Sequence, residues 1–147
     1  MASVDQVQRD TEVIEAAYVL WNTGDMATIA ERYWAENIEW HDPPGVEDRG
    51  IFVGETQVMG RIVEIAARLG LPKLASVKVT SVGNQYVVEL EFVFRIGAAN
   101  ISDMSLESIP YVHVVRLEGD RVQRILTFSD AAAAFAAAAE TRADSPI

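Results

Sequence analysis

Two side chains in this sequence pair an acid–base group with apolar surroundings. Asp42 follows Trp40-His41 and precedes Pro43-Pro44-Gly45. A carboxylate ending an aromatic-rich strand is partly desolvated, which raises its pKa and suits a general base that moves a proton between two carbons. The same aspartate could simply close an Asx turn ahead of the prolines. His113 sits in Tyr111-Val112-His113-Val114-Val115. A neutral imidazole in such a strand can donate a hydrogen bond to a developing enolate oxygen or shuttle a proton. It can equally be a core histidine bonded to a backbone carbonyl. Strand alternation puts Ile109, Tyr111, His113 and Val115 on one face, unless Pro110 introduces a bulge. The chemistry implied is proton transfer next to a carbonyl.

A wall for an apolar substrate is available. Tyr18, Trp21, Trp34, Trp40, Phe52, Met59, Phe92, Phe94, Tyr111 and Thr127 are the candidate substrate-binding residues, although some of the large ones must build the core or an interface. His41 neighbours Asp42 but alternates to the other face. Glu89 and Glu91 lie opposite Phe92, with Arg95 and Arg116 as cross-strand partners. Two histidines in separate strands and no cysteine give no metal-ligand spacing. There is no glycine-rich phosphate loop and no Ser-His-Asp arrangement. No metal and no cofactor are expected.

The elements that must position these groups follow from the apolar period. Val4, Val7, Ile14, Tyr18 and Trp21 mark one face of a first helix, with Ser3 and Gln6 as a capping box. Asn22-Thr23-Gly24-Asp25 ends it, and Asp25 caps a short second helix to about Trp34. Asn37 to His41 is a short strand, and an irregular loop runs to about Val53. Val58, Ile62, Ile65 and Leu69 mark a third helix, stopped by Gly70 and Pro72. The period then becomes two. Strands run over Ser76–Ser81, Tyr86–Ile96, Met104–Leu117 (bent at Pro110) and Arg121–Phe128, with turns at Gly83-Asn84 and Glu118-Gly119-Asp120. Ser129 or Asp130 caps an alanine-rich helix, read as docked over the end of the sheet. Helices followed by antiparallel strands indicate an α+β fold. A strongly bent sheet around one long helix makes a cone with a cavity at its mouth.

Composition narrows the partners. The 147 residues make one domain, residues 1–147, whose last part, 130–147, is the C-terminal helix and tail. A net charge of −10, from 22 acidic and 12 basic residues, repels a phosphate backbone, so nucleic acid is excluded. No apolar run reaches membrane-spanning length, and Met1 to Asp10 is too polar for a signal peptide. The expected location is cytoplasmic. Half of the residues are hydrophobic, an excess that needs a core, a pocket or an interface.

The runs Trp21-Asn22-Thr23-Gly24-Asp25, Trp40-His41-Asp42-Pro43-Pro44-Gly45 with Gly54, and Val112-His113-Val114-Val115-Arg116-Leu117 followed by Arg121-Val122 resemble NTF2-like proteins. The likeness is to the SnoaL-like polyketide cyclase and ketosteroid isomerase branches. It covers nearly the whole chain. It implies an NTF2-like cone, three N-terminal helices on a strongly bent, mostly antiparallel sheet with a short C-terminal helix. By the resemblance, Asp42 matches the isomerase's general base and His113 replaces an acidic oxyanion donor. The partner tyrosine of the first helix falls at Ala17, about 100° of helix rotation from Tyr18. An aromatic hydroxyl of the second helix becomes Trp34, and the cyclases' last-strand acid becomes Thr127. The epoxide-hydrolase Asn-Glu-Arg-x-Asp string is absent.

The expectation is a cofactor-free cyclase or isomerase of an apolar polyketide- or terpenoid-sized molecule, with Asp42 as base and His113 as donor. A homodimer through the outer sheet face is expected by the same resemblance. The alternative is a non-catalytic binding or dimerisation module of the same fold.

Overall fold

The apolar period changes from three-and-four to two at the point where helices give way to strands in a computed structural model. The structure describes residues 3–43, 49–68, 73–96 and 105–143, with side chains placed for all of these except 68, 93–96, 105–110 and 141–143. In order come α1 (Val4–Val19), a 3₁₀ turn (Leu20–Thr23), α2 (Met26–Tyr33), β1 (Trp34–His41), β2 (Ile51–Val53), α3 (Glu55–Arg68), β3 (Lys73–Val82), β4 (Gln85–Ile96), β5 (Ser105–Glu118), β6 (Arg121–Phe128) and α4 (Ala131–Ala143). The strands form one open sheet in the order β2-β1-β6-β5-β4-β3. β1 and β6 are parallel and the other pairs antiparallel.

Local signals account for the helix ends. Ser3 Oγ accepts from Gln6 N at 3.1 Å. The reciprocal half of the expected capping box is not made, because the Gln6 side chain turns to Asp10 instead. Asp10 is itself buried and accepts from Tyr86 OH at 2.6 Å, tying α1 to β4. Gly24 takes φ +76°, which reverses the chain between the 3₁₀ turn and α2. Asp25 caps α2 through Thr28 N. Asn22 bonds both backbone groups of Leu74 at 2.8 Å, stitching this corner to β3.

The two sheet faces have different covers. Inward lie Trp34, Ile38, Trp40, Tyr86, Val88, Leu90, Val115, Val122 and Ile125, packed with Ile14, Ile29, Val58 and Ile62 from the helices. Outward lie Val87, Val112 and Val114, which pack on Ala134 and Ala138 of α4. α4 therefore lies on the outer face and not over the end of the sheet. Its near-uniform alanine lets it sit close to the valine surface.

Several expectations change. β1 begins at Trp34, three residues before the expected start, and the loop before Val53 contains β2 as an edge strand. Pairing runs through Glu91↔Pro110 with no slip. β6 pairs with β5 only from Val112 onward, so at Pro110 one side of β5 is free of a neighbour and tolerates a missing N–H. The register shift falls instead between Arg116 and Leu117. It leaves both Gln123 and Arg124 on the outer face. Arg116 donates to Gln123 Oε1, not to Glu89 or Glu91, which the register places opposite Val112 and Pro110. The Arg95 side chain lies outside the described residues.

Ala134 is fully buried while Ala133 is exposed. Ala134→Leu should overpack the α4 contact and cost about 1–3 kcal/mol. Ala133→Leu should stay within about 0.5 kcal/mol of the parent. Urea midpoints of the two variants check this, and equal midpoints would detach α4 from the sheet.

Candidate functional site

The three inner helices, the 3₁₀ turn and four of the strands line one cavity of about 210 Å³. Ala17 and Tyr18 come from α1, Trp21 from the 3₁₀ turn, and Met26 and Ile29 from α2. Trp34 and Trp40 come from β1, and Ile62, Ile65 and Ala66 from α3. The sheet adds Phe92, Tyr111, His113, Val122 and Ile125. No carboxylate, lysine or arginine is among them. The lining is carbon except for a few polar tips.

His113 is the centre of those tips. It is only 5 % exposed. Its Nδ1 is 2.6 Å from Tyr18 OH. Its ring meets Trp40 edge-on at 5.3 Å between centroids and Tyr111 at 5.2 Å. Its Nε2 is buried and has no hydrogen-bond partner among the described residues. Burial pushes the imidazole pKa down from 6.5 to about 3, because a charged ring would be stranded in this wall. His113 is therefore neutral near pH 7. Burial also raises the Tyr18 phenol well above its ordinary value, with nearby Tyr111 adding to the rise. The Tyr111 phenol is raised chiefly by burial and lies beside Thr127.

Asp42 is close by but differently occupied. Arg61, on α3, reaches it with Nε at 3.1 Å from both carboxylate oxygens and Nη2 at 2.7 Å from Oδ2. Trp40 Nε1 donates to Oδ1 at 2.9 Å and Gly50 N to Oδ2 at 3.0 Å. Burial alone raises the Asp42 pKa and is the largest single influence. The bonds from Arg61, Trp40 and Gly50, with the Arg61 charge, outweigh it and hold the carboxyl below its usual value. The sequence expectation of a raised pKa is thus reversed. Desolvation is present as expected, but the sequence does not reveal that a guanidinium 19 residues away comes with it. Asp42 is absent from the cavity lining and touches the site through Trp40, whose indole spans the two.

The remaining expected residues divide cleanly. Tyr18, Trp21, Trp34, Trp40, Phe92, Tyr111 and His113 do line the cavity. Phe52 does not: its ring stacks under Arg61, 5.1 Å from the guanidinium carbon. Met59 packs against the core and is also outside the lining. Thr127 Oγ1 donates to His41 O at 2.7 Å and braces β1 on β6 behind the cavity. The Phe94 side chain lies outside the described residues. His41 bonds Glu39 at 3.0 Å on the outer face. Sequence reasoning missed Arg61 and the aliphatic wall from α2 and α3. For Ile62 and Ile65 the helical period was the available signal. Tyr18, one residue from the family position at Ala17, does enter the cavity, because Ala17 and Tyr18 both line it at the last turn of α1.

A family model described as a SnoaL-like domain matches residues 14–125. The chain belongs to this family. No curated protein matches its sequence. Solved structures similar to it share the fold at low identity. An NTF2-like protein of unknown function from Burkholderia pseudomallei has 18 % identity and a TM-score of 0.63, over 85 % of this chain and 93 % of that one. A candidate polyketide cyclase from Xanthomonas campestris pv. campestris has 16 % identity and a TM-score of 0.59, over 89 % and 97 %. A candidate isomerase from Bacillus subtilis has 14 % identity and a TM-score of 0.64, over 83 % and 86 %. The SnoaL-like domain thus places the chain in a fold shared with proteins named as cyclases and isomerases. No helix among the described residues is long and apolar enough to cross a membrane.

Two stability measurements follow. Unfolding releases His113 to titrate near 6.5 while the folded ring resists protonation down to about 3. The unfolded chain therefore binds the extra proton, and stability falls as pH drops below about 6.5, by at most ~1.4 kcal/mol per pH unit. His113→Gln should remove that slope between pH 6.5 and 4; an unchanged slope would place the effect elsewhere. Asp42, depressed in the fold, loses its contribution only at lower pH. Separately, Arg61→Met strands a buried carboxylate and should cost about 3–5 kcal/mol, with Asp42→Asn on the same chain recovering part of it. Chemical denaturation of the single and double variants reads the difference.

Proposed function

We propose that this SnoaL-like domain is a cofactor-free cyclase or isomerase of a compact, apolar, carbonyl-bearing small molecule. The observation that carries the reading is the buried His113 Nε2, which has no hydrogen-bond partner among the described residues and belongs to a residue lining a cavity walled mainly with carbon. A polar atom so placed costs free energy unless a ligand satisfies it. A hydrogen bond there polarises a carbonyl oxygen where water is excluded, the setting in which such bonds stabilise developing charge most. The wall restricts a flexible chain to folded conformers, which itself favours ring closure. Size narrows the substrate. A dry cavity of about 150 Å³ holds benzene, and drug-sized ligands occupy about 300–1,000 Å³. The cavity of about 210 Å³ suits one or two rings.

Asp42 acts in this reading as a positioning residue, because its carboxylate is held by Arg61, Trp40 and Gly50. The second reading, a binding module without chemistry, is favoured by the lack of a carboxylate among the described lining residues. The protein is further proposed to be a cytoplasmic homodimer. Since α4 covers the valine patch of the outer face, α4 itself would belong to that interface.

One- and two-ring β,γ-unsaturated ketones, followed by the absorbance of the conjugated product, test the reading; the α-proton passes to buffer base or hydroxide and the γ-carbon takes a proton from solvent, because the described lining residues supply no carboxylate base. Turnover should fall about 10²–10³-fold in His113→Ala, the size expected for one lost oxyanion donor. A folded Asp42→Asn should keep most of it. A loss of 10²-fold or more in that variant would return Asp42 to the role of base. Binding of the ketones with no turnover would establish the second reading.

A further inference from the structure

The Tyr18–His113 contact joins two polar groups of the cavity wall. The two atoms are 2.6 Å apart. That separation lies inside the usual range for an O–H donor, about 2.5–3.0 Å, and below the usual range for an N–H donor to oxygen, about 2.7–3.2 Å. Chemistry agrees with geometry. A phenol is a stronger donor than a neutral imidazole N–H, and an imidazole sp² nitrogen is a stronger acceptor than a phenol oxygen. Among the described residues the Tyr18 hydroxyl makes no other hydrogen bond. Reversing the bond would leave the Tyr18 proton without an acceptor and the Nε2 lone pair without a donor, two strong groups stranded in a carbon wall. With Tyr18 donating to Nδ1, the ring proton sits on Nε2, which leaves one unpartnered N–H among the described residues here, on a residue of the cavity wall.

We propose that Tyr18 is a positioning residue that locks His113 in the Nε2–H tautomer, so that the cavity selects a hydrogen-bond acceptor, a carbonyl or ether oxygen, over a donor. The ring cannot swing to escape this setting, because Trp40 and Tyr111 pack edge-on against it. Nor does protonation blur the selection, since burial keeps the ring neutral. The inference rests on the cavity being the ligand site, and it deepens that reading by naming the ligand's polar end. It also assigns Tyr18 a task distinct from touching the substrate.

The tautomer is directly measurable in the ligand-free protein. The chain has two histidines, so His41→Gln assigns the ¹⁵N resonances of His113. Nε2 should show the shift of a protonated nitrogen and Nδ1 that of an unprotonated one. Protonation on Nδ1, or an even mixture, overturns the proposal. Ligand choice is the second arm, with bicyclic probes of nearly equal size: 1-indanone, which only accepts, and indole, which only donates. The wild type should bind 1-indanone about 3–10-fold more tightly than indole, the worth of one neutral hydrogen bond. In Tyr18→Phe that preference should shrink to about twofold or less. Equal binding in the wild type, or an undiminished preference in Tyr18→Phe, overturns the tautomer lock while leaving the cavity reading intact. Binding of neither probe overturns the cavity reading instead, and the ¹⁵N spectrum of the wild type then decides the tautomer by itself.

Discussion

The grip of Arg61 on Asp42 organises this molecule. Both groups are almost wholly buried. Two charges removed from water repay their desolvation only with near-ideal geometry and every remaining lone pair satisfied. That condition recruits neighbours. Trp40 and Gly50 supply the missing donors to Asp42, Glu64 takes another guanidinium N–H, and Phe52 offers its ring face to Arg61. The end of β1, the return of the chain at Gly50, β2 and α3 are fixed relative to one another by this one carboxylate. Trp40 carries the constraint onward, since the indole that donates to Asp42 also abuts His113.

This arrangement separates charge from the cavity. An ionised group inside a small carbon-walled space would be desolvated at high cost unless paired. The fold instead keeps its carboxylate behind the wall, neutralised, and leaves neutral polar groups inside. Such a cavity can orient and polarise a ligand without the strong base of a two-carboxylate site. Its chemistry depends on placement more than on acidity.

The element order and the α+β class were legible because helical and strand periods are local signals. β4 shows this best, with Tyr86, Val88 and Leu90 inward and Val87 outward. His113 was legible as a polar residue on the inward face of a strand. Asp42 was legible as desolvated but not as paired, because Arg61 belongs to another element and nothing in its local sequence marks it. Met59 shows the converse error: an apolar residue at a helical position can face core or cavity, and only the helix rotation decides. Tyr18 was legible as a candidate for the cavity wall, one residue away from the family's tyrosine position at Ala17, and both residues line the cavity at the last turn of α1. The register shift beside Arg116 was invisible too, since the strand's own residues carry no glycine or proline there.

Asn22 offers a different lesson. β3 is an edge strand, and Asn22 fills both outward backbone groups of Leu74 with its amide. A side chain here imitates the next strand for the length of one residue. An open edge is where a foreign strand could add itself and start a fibril. By occupying the first rung, with Lys73 and Lys78 exposed along the same strand, the corner motif also acts as a guard against uncontrolled self-association.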